Sequence, residues 1–180
     1  MKNVTLRFAL VLVVLTAAVG CKSAVSPTEE SSKFSPEQAV AARQALVAWF
    51  ECEECSSGEL EAVTKLGQSA IPSLAATLRA GPSPSSREIQ HEHLVQTYRE
   101  MQVYAKAHPR ESNIKVSEEE YVRQYSENYV ALYQIRAARA LESIGGEQAR
   151  KALTEALNSS LRDDVRSVVK ESLQKLSSSR

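Results

Sequence analysis

Apolar residues recur at helical spacing along most of this chain. Glycine, proline and serine interrupt them at intervals too short for one continuous helix. The clearest stretch runs from Glu127 to Leu176. Its apolar stripe breaks at Gly145-Gly146, resumes, and breaks again at Asn158-Ser159-Ser160. The pattern predicts three helices in series, each with an oily side that one helix cannot hide. Such helices have to lie against neighbours, which is the logic of a stacked helical repeat.

The same signals continue upstream. Ser35-Pro36-Glu37-Gln38 places an N-cap, a proline at the first helical position and a glutamine at the third, a capping box. A helix from Pro36 to about Glu54 follows. Val40, Leu46, Val47, Trp49, Phe50 and interspersed alanines make it apolar on most sides, which predicts cover by more than one neighbour. Gly58 to Gly67 predicts a short helix stopped by glycine. Gln68-Ser69-Ala70-Ile71-Pro72 restarts a helix whose inner face carries Leu74 and Leu78. Gly67, Ala70, Leu74 and Leu78 match Gly146, Ala149, Leu153 and Leu157 at a shift of 79 residues (146 less 67). Two helix pairs therefore share one stop, turn and restart.

Between the matched regions, Gly81-Pro82-Ser83-Pro84-Ser85-Ser86 predicts a loop. A long amphipathic helix should span about Arg87 to Ala107 and end at His108-Pro109. Arg110 to Val116 is a second loop. Ser117 then caps a helix from Glu118 to about Ile144, long for a repeat. The two long helices should form an antiparallel hairpin that inserts in the stack or extends one repeat. The expected fold class is all-α, a short α-solenoid with this inserted long hairpin.

The repeat motif resembles the HEAT-like repeats named after phycobilisome lyases. Ala140-Leu141-Glu142-Ser143-Ile144-Gly145, followed by Ala149, Leu153 and Leu157, carries the resemblance, and Asp164-Val165-Arg166 opens the next unit as that family commonly does. The match covers about 59–80, 128–157 and 161–176. It implies a solenoid fold and a scaffolding or binding role, since the family is mostly scaffolds and binders. A lyase activity is the weaker implication, because no polar residues converge in the repeats.

Residues 1–20 read as a signal peptide. Lys2 and Arg7 form a basic start, and an apolar run from Phe8 to about Ala18 is too short to span comfortably a bilayer core of roughly 30 Å. Leu15-Thr16-Ala17-Ala18-Val19-Gly20-Cys21 resembles the lipobox of bacterial lipoproteins, with Ala18 where leucine is usual. That resemblance implies cleavage before Cys21, acylation of its thiol and membrane attachment by the lipid. Lys22 after the cysteine implies, by similarity to enterobacterial lipoproteins, transfer to the outer membrane facing the periplasm. Residues 21–34 are serine-rich and polar and predict a lipidated tether. Residues 35–180 are then the helical domain.

Charge narrows the partners. The formal net charge is zero over 180 residues, so electrostatics gives no case for nucleic acid. Glu51 to Glu61 holds five acids and no base.

Candidate chemistry is sparse. Cys52 and Cys55 remain as an even pair in an oxidising compartment, which predicts a local disulfide or two reduced buried thiols. Redox exchange needs a stabilised thiolate, and Glu51, Glu53, Glu54 and a helix C-terminus disfavour one. A metal site would need more than two thiolates. His91 and His93 point about 200° apart on a helix and cannot share one ion. No metal or cofactor is expected, and no catalytic triad or phosphate loop stands out.

Tyr121, Tyr125, Tyr129 and Tyr133 recur every four residues, with Tyr98 and Tyr104 on the other long helix. The stripe is either the hairpin seam or an exposed aromatic face for a partner. Arg136 and Arg139 continue the stripe and complete the candidate partner-binding face. Arg166 and Lys170 could share a face with them, and the plain expectation is that such charges neutralise neighbours such as Asp163 and Asp164. The expected function is a membrane-anchored scaffold binding another envelope protein. The alternative is a metal- or redox-responsive module built on Cys52 and Cys55.

Overall fold

In the computed structural model the described residues are 35–110 and 114–178. The expected signal peptide (1–20), the expected tether (21–34) and Cys21, the expected lipid-attachment residue, lie outside them. All regular structure among the described residues is helical. In chain order it comprises α1 (Pro36–Glu51), α2 (Ser57–Leu66), a 3₁₀ turn (Gly67–Ala70), α3 (Ile71–Ala80), α4 (Pro84–Ala107), α5 (Glu118–Ile144), α6 (Gly146–Ala156) and α7 (Asp163–Ser178).

Local chemistry explains most boundaries. The Ser35 and Ser56 side chains and their third-position Gln38 and Glu59 form complete capping boxes for α1 and α2. Ser117 accepts from the Glu120 amide and starts α5. Two boundaries differ from expectation. Helix α1 stops at Glu51, because Cys52 is extended (φ −63°, ψ 133°) and Ser56 already caps the next helix. Helix α4 starts at Pro84, three residues early, because Ser83 accepts from the Ser86 amide and Pro84 suits a first turn. The Pro82-Ser83-Pro84 segment read as loop is a helix start.

Helix α5 organises the packing. It touches all the other helices, α1 through α4 and then α6 and α7. Its C-terminal half supplies Ala131, Ala137, Ala138, Ala140 and Leu141, all buried. Alanine at the crossings lets helix axes come close, so larger side chains on the neighbours fill the space. Val63 of α2, Leu74 and Leu78 of α3, Leu153 of α6, and Val165 and Val169 of α7 are fully buried around it. Helix α3 also lies against α6, and α6 against α7. The N-terminal half of α5 pairs with α4 through a separate cluster, Leu94, Tyr98, Tyr121 and Val122.

The turn from α3 to α4 needs glycine. Gly81 has φ +74°, and a Cβ there would sit 2.8 Å from Val130 Cγ1 on α5. Helix α1 is less covered than its composition suggests. It packs mainly on α2 and, less, on α5; residues 36–41 are exposed, and Val40 and Val47 are 57% and 54% exposed. Only Trp49 and Phe50, in its last turn, are buried. Two neighbours cover it, as expected, but the small alanines lack the bulk that would bury its first turns.

Candidate functional site

The tyrosine stripe divides along α5. Each step of four residues turns the helix by about 40°, so Tyr121 and Tyr133 point about 120° apart. Tyr121 is buried against Tyr98, ring centres 5.4 Å apart, within the α4–α5 seam. Burial, then the neighbouring Tyr125, raises its hydroxyl pKa. The Tyr125 ring lies tilted against Tyr121, centres 4.5 Å apart, yet Tyr125 is 48% exposed. Tyr133 is buried and its ring lies parallel to Phe50 of α1 at 5.0 Å. Half of the stripe is therefore packing, and only Tyr125 and half-buried Tyr129 offer area to solvent. As an exposed aromatic face, the Tyr121-to-Tyr133 stripe is corrected by this burial.

Tyr129 and Tyr133 converge on one carboxylate. The Tyr133 hydroxyl donates to Glu51 Oε1, and the Tyr129 hydroxyl lies 3.4 Å from the same oxygen and 3.1 Å from Tyr133 Oη. Burial first, then the charge and hydrogen bond of Glu51, pushes the Tyr129 pKa up to about 12.

Arg136 and Arg139 are likewise engaged. Arg136 donates from Nη1 to the Phe50 carbonyl at 2.5 Å and from Nη2 to the Cys52 carbonyl at 2.7 Å. It thereby caps the C-terminus of α1, where carbonyls have no helical partner. Burial lowers its pKa, against the pull of Glu51. Trp49 returns the link, its Nε1 donating to the Arg136 carbonyl at 3.0 Å. Arg139 bridges helices, 3.0 Å from Glu142 and 2.8 Å from Glu171 of α7. Neither guanidinium is available to a partner, which removes both from the candidate binding face.

Two further arginines repeat the capping device. Arg166 donates to the carbonyls of Leu157 and Ser159 just past α6, and Arg150 to the Leu176 carbonyl in α7. Charge neutralisation was the expectation for Arg166, and its partners are carbonyls instead. Nothing in the local sequence marks these roles, because the carbonyls come from other elements. Cys52 and Cys55 are joined in a disulfide with Cα atoms 5.2 Å apart, closing the α1–α2 joint. Both sulfurs are bonded to each other, so neither is a thiolate in this state. His91 and His93 are both exposed on α4. Among the described residues no group of three or more His, Cys, Asp or Glu could hold a metal ion.

The open concavity lies elsewhere, in the furrow between α4 and α5. Its deep end, about 670 Å³, is floored by Tyr129, Val130, Ala131 and Gln134 of α5 and walled by Arg87, Glu88 and His91 of α4. Ser160 and Arg162, between α6 and α7, close that end. His91, Ser126 and Glu127 also line an adjoining hollow of about 630 Å³, which continues over Val95 and Val122. His91, Val95 and Glu118 are shared with a third hollow of about 470 Å³. The three make one furrow with an apolar floor and a charged rim.

Its cations are mostly spent. Arg162 is held at 2.5 Å by Asp164, whose pKa falls to about 2, chiefly through that hydrogen bond. Arg123 is held by Glu120 and Glu127, and Arg99 lies 3.8 Å from Glu118. Among the described residues Glu88, Glu92 and Glu119 make no ion pair, so the rim is left with acid to spare. Sequence periodicity placed α4 and α5 side by side but gave no sign that their furrow is open.

No family model matches the chain, and no curated protein or solved structure is detectably similar to it.

Proposed function

We propose that this chain is a lipid-anchored helical-repeat scaffold of the bacterial envelope. On this reading it docks a segment of another envelope protein in the α4–α5 furrow. Acylation at Cys21 is the membrane attachment, outer membrane and periplasm-facing, and residues 21–34 are the tether. The domain is a short solenoid in which α2–α3 and the end of α5 with α6 are successive HEAT-like units. Helices α4 and the first half of α5 are a hairpin inserted between them. The side-by-side packing of α2 on α5 and α3 on α6 supports this arrangement. The role is binding, without catalysis.

One observation carries the docking reading: the furrow combines an apolar floor with unpaired carboxylates along its rim. That chemistry suits an amphipathic helix with an apolar stripe and a basic flank, laid between two helices of the receptor. The experiment is photo-crosslinking in intact cells from positions 95 and 130, with exposed Lys151 on α6 as control. The crosslinked segment should be a basic amphipathic helix. As a purified peptide it should bind the full chain and lose at least about tenfold in affinity with Ser126→Trp, a loss of about 1.4 kcal/mol. An acidic or unstructured segment, equal crosslinking from position 151, or unchanged binding by Ser126→Trp overturns the reading.

The Cys52–Cys55 disulfide, with Cys52 half-buried and Cys55 exposed, supports a second reading, a redox-responsive module. If Cys52→Ser/Cys55→Ser binds the same peptide equally well under oxidising and reducing conditions, as the parent does, that reading fails.

A further inference from the structure

The far end of the α4–α5 hairpin carries a surface that the furrow does not use. The Tyr98 hydroxyl donates to the Val116 carbonyl at 2.8 Å, two residues before α5 begins. Residues 99–107 of α4 therefore run on past the paired region by about 13 Å, at 1.5 Å per residue. Ile114, beyond the end of α4, is tucked against the Tyr98 cluster. On this overhang Val103 is 69% exposed and Tyr104 52%, with Met101 and Val116 also exposed. Val103, Tyr104 and Ala107 line one shallow hollow, and the His108 ring stacks on Tyr104 at 4.2 Å. Isolated exposed apolar residues are ordinary, but a valine and a tyrosine side by side on a projecting helix end form a patch.

The charges around that patch lean basic, although Glu100 and Arg99 also line its hollow. From Met101 to Val116 the sequence holds Lys106, Arg110 and Lys115 against the single acid Glu111. All three cations are exposed. Of the nearby acids, Glu118 lies by Arg99, while Glu100 accepts only from the neutral Gln96 amide and keeps its charge. The rest of the chain is close to neutral, so the bias is local.

We infer that the hairpin tip is a membrane-contacting surface, seating Val103 and Tyr104 at the headgroup level of an anionic bilayer. Lys106, Arg110 and Lys115 would lie on the lipid phosphates. A tyrosine with an apolar body and a polar tip suits that depth, and lysine and arginine reach past it to headgroups. Each such cation adds attraction to an anionic leaflet that fades within a Debye length. No described helix is long and apolar enough to cross a membrane, and this contact needs none. The inference rests on the tip alone and stands apart from the docking role of the furrow.

The test places an indole at the tip. Full-chain Tyr104→Trp is mixed with vesicles of equal parts phosphatidylglycerol and phosphatidylcholine, with a fraction of the acyl chains brominated. Ile89→Trp, exposed at the other end of α4, is the control, and the parent chain with its buried Trp49 sets the background. Bromolipid should quench Tyr104→Trp at least twofold more than Ile89→Trp. The excess should vanish on pure phosphatidylcholine and with added Lys106→Glu/Lys115→Glu. Equal quenching at both ends of α4, or an excess that persists on pure phosphatidylcholine or after charge reversal, overturns the inference. So does shielding of Tyr104→Trp that needs an added envelope protein, which would assign the tip to a protein partner.

Discussion

Thr64 Oγ1 and Ser143 Oγ lie 2.8 Å apart. They are separated by 79 residues in the chain, the same shift that superposes Gly67 on Gly146 and Leu74 on Leu153. Residues at equivalent places in the two matched sequence segments thus touch across the α2–α5 contact. A hydroxyl pair at a partly exposed site is worth about 0.5–1 kcal/mol. In a double-mutant cycle of Thr64→Val and Ser143→Ala, urea unfolding should show a coupling of that size. Additive single-variant effects would mean that the contact contributes nothing.

Gly81 should tolerate no side chain. Its positive φ and the 2.8 Å approach to Val130 Cγ1 act together in Gly81→Ala, and the expected loss is about 1–3 kcal/mol. Adding Val130→Ala should recover the steric part and leave the backbone part. Gly67, also at positive φ but with nothing within 4 Å, should cost less on the same substitution. Equal losses at Gly67 and Gly81 would remove the steric explanation.

Arg136 holds the end of α1 by two hydrogen bonds from a cation, and a truncation that strands the carbonyls should cost about 2–3 kcal/mol. Arg136→Lys should not rescue, because an ammonium lacks the planar fork that reaches both oxygens. Because Trp49 donates to the Arg136 carbonyl, its fluorescence should shift to the red in Arg136→Ala as the last turn of α1 loosens. A blue-edge spectrum identical to the parent would contradict this.

Alkaline pH should weaken the Glu51–Tyr129–Tyr133 junction. The Tyr129 pKa is raised from 10.0 to about 12, so the fold prefers its hydroxyl protonated. The stabilisation is present below pH 10 and is lost as pH rises from 10 towards 12. Tyr129 is partly solvated, so the effect should stay near 1 kcal/mol after discounting for screening. Stability measured against pH should decline less steeply over that window in Tyr129→Phe.

Acid should act at the α5–α7 contact. Glu171 falls from 4.5 to about 2 through hydrogen bonds first from Arg139 and then from Lys175. Burial raises Glu142, but the Ser172 hydroxyl, Lys175 and Arg139 together bring it below its ordinary value. Both carboxylates favour the fold when ionised. Their contribution is complete above about pH 4.5 and lost as pH falls towards 2. Glu171→Gln should flatten the acid limb of the melting temperature, and an unchanged limb would assign acid sensitivity elsewhere.

Much of the helical plan was legible because it is written locally. Ser35 and Ser117 mark their helix starts within three residues, and Gly145 marks the end of α5 with a positive φ of 70°, whereas the Ser56 cap of α2 went unread. Ser83-Pro84 carried the same code inside a segment whose proline and serine content suggested a loop. The site was less legible. A step of four residues fixes which tyrosines share a stripe, but the drift of that stripe carries Tyr121 to α4 and Tyr133 to α1, so the two ends have different neighbours. Arg136, Arg150 and Arg166 were readable as cations and unreadable as caps. Their acceptors are main-chain oxygens, which every residue possesses and no sequence distinguishes.

The sparse cover of α1 has a mechanical corollary. Any pull on the chain upstream of Ser35 enters the domain through this helix. Its first turns, Pro36 to Ala41, are exposed and grip little. They should peel at low force, lengthening the lead from about 1.5 to about 3.4 Å per residue. Peeling should arrest where Trp49 and Phe50 enter the core and the Arg136 fork clasps the last carbonyls, with the Cys52–Cys55 link behind them. The helix would thus serve as a short shock absorber ahead of a firm stop, sparing the helices packed on α5 from strain applied at the leading end.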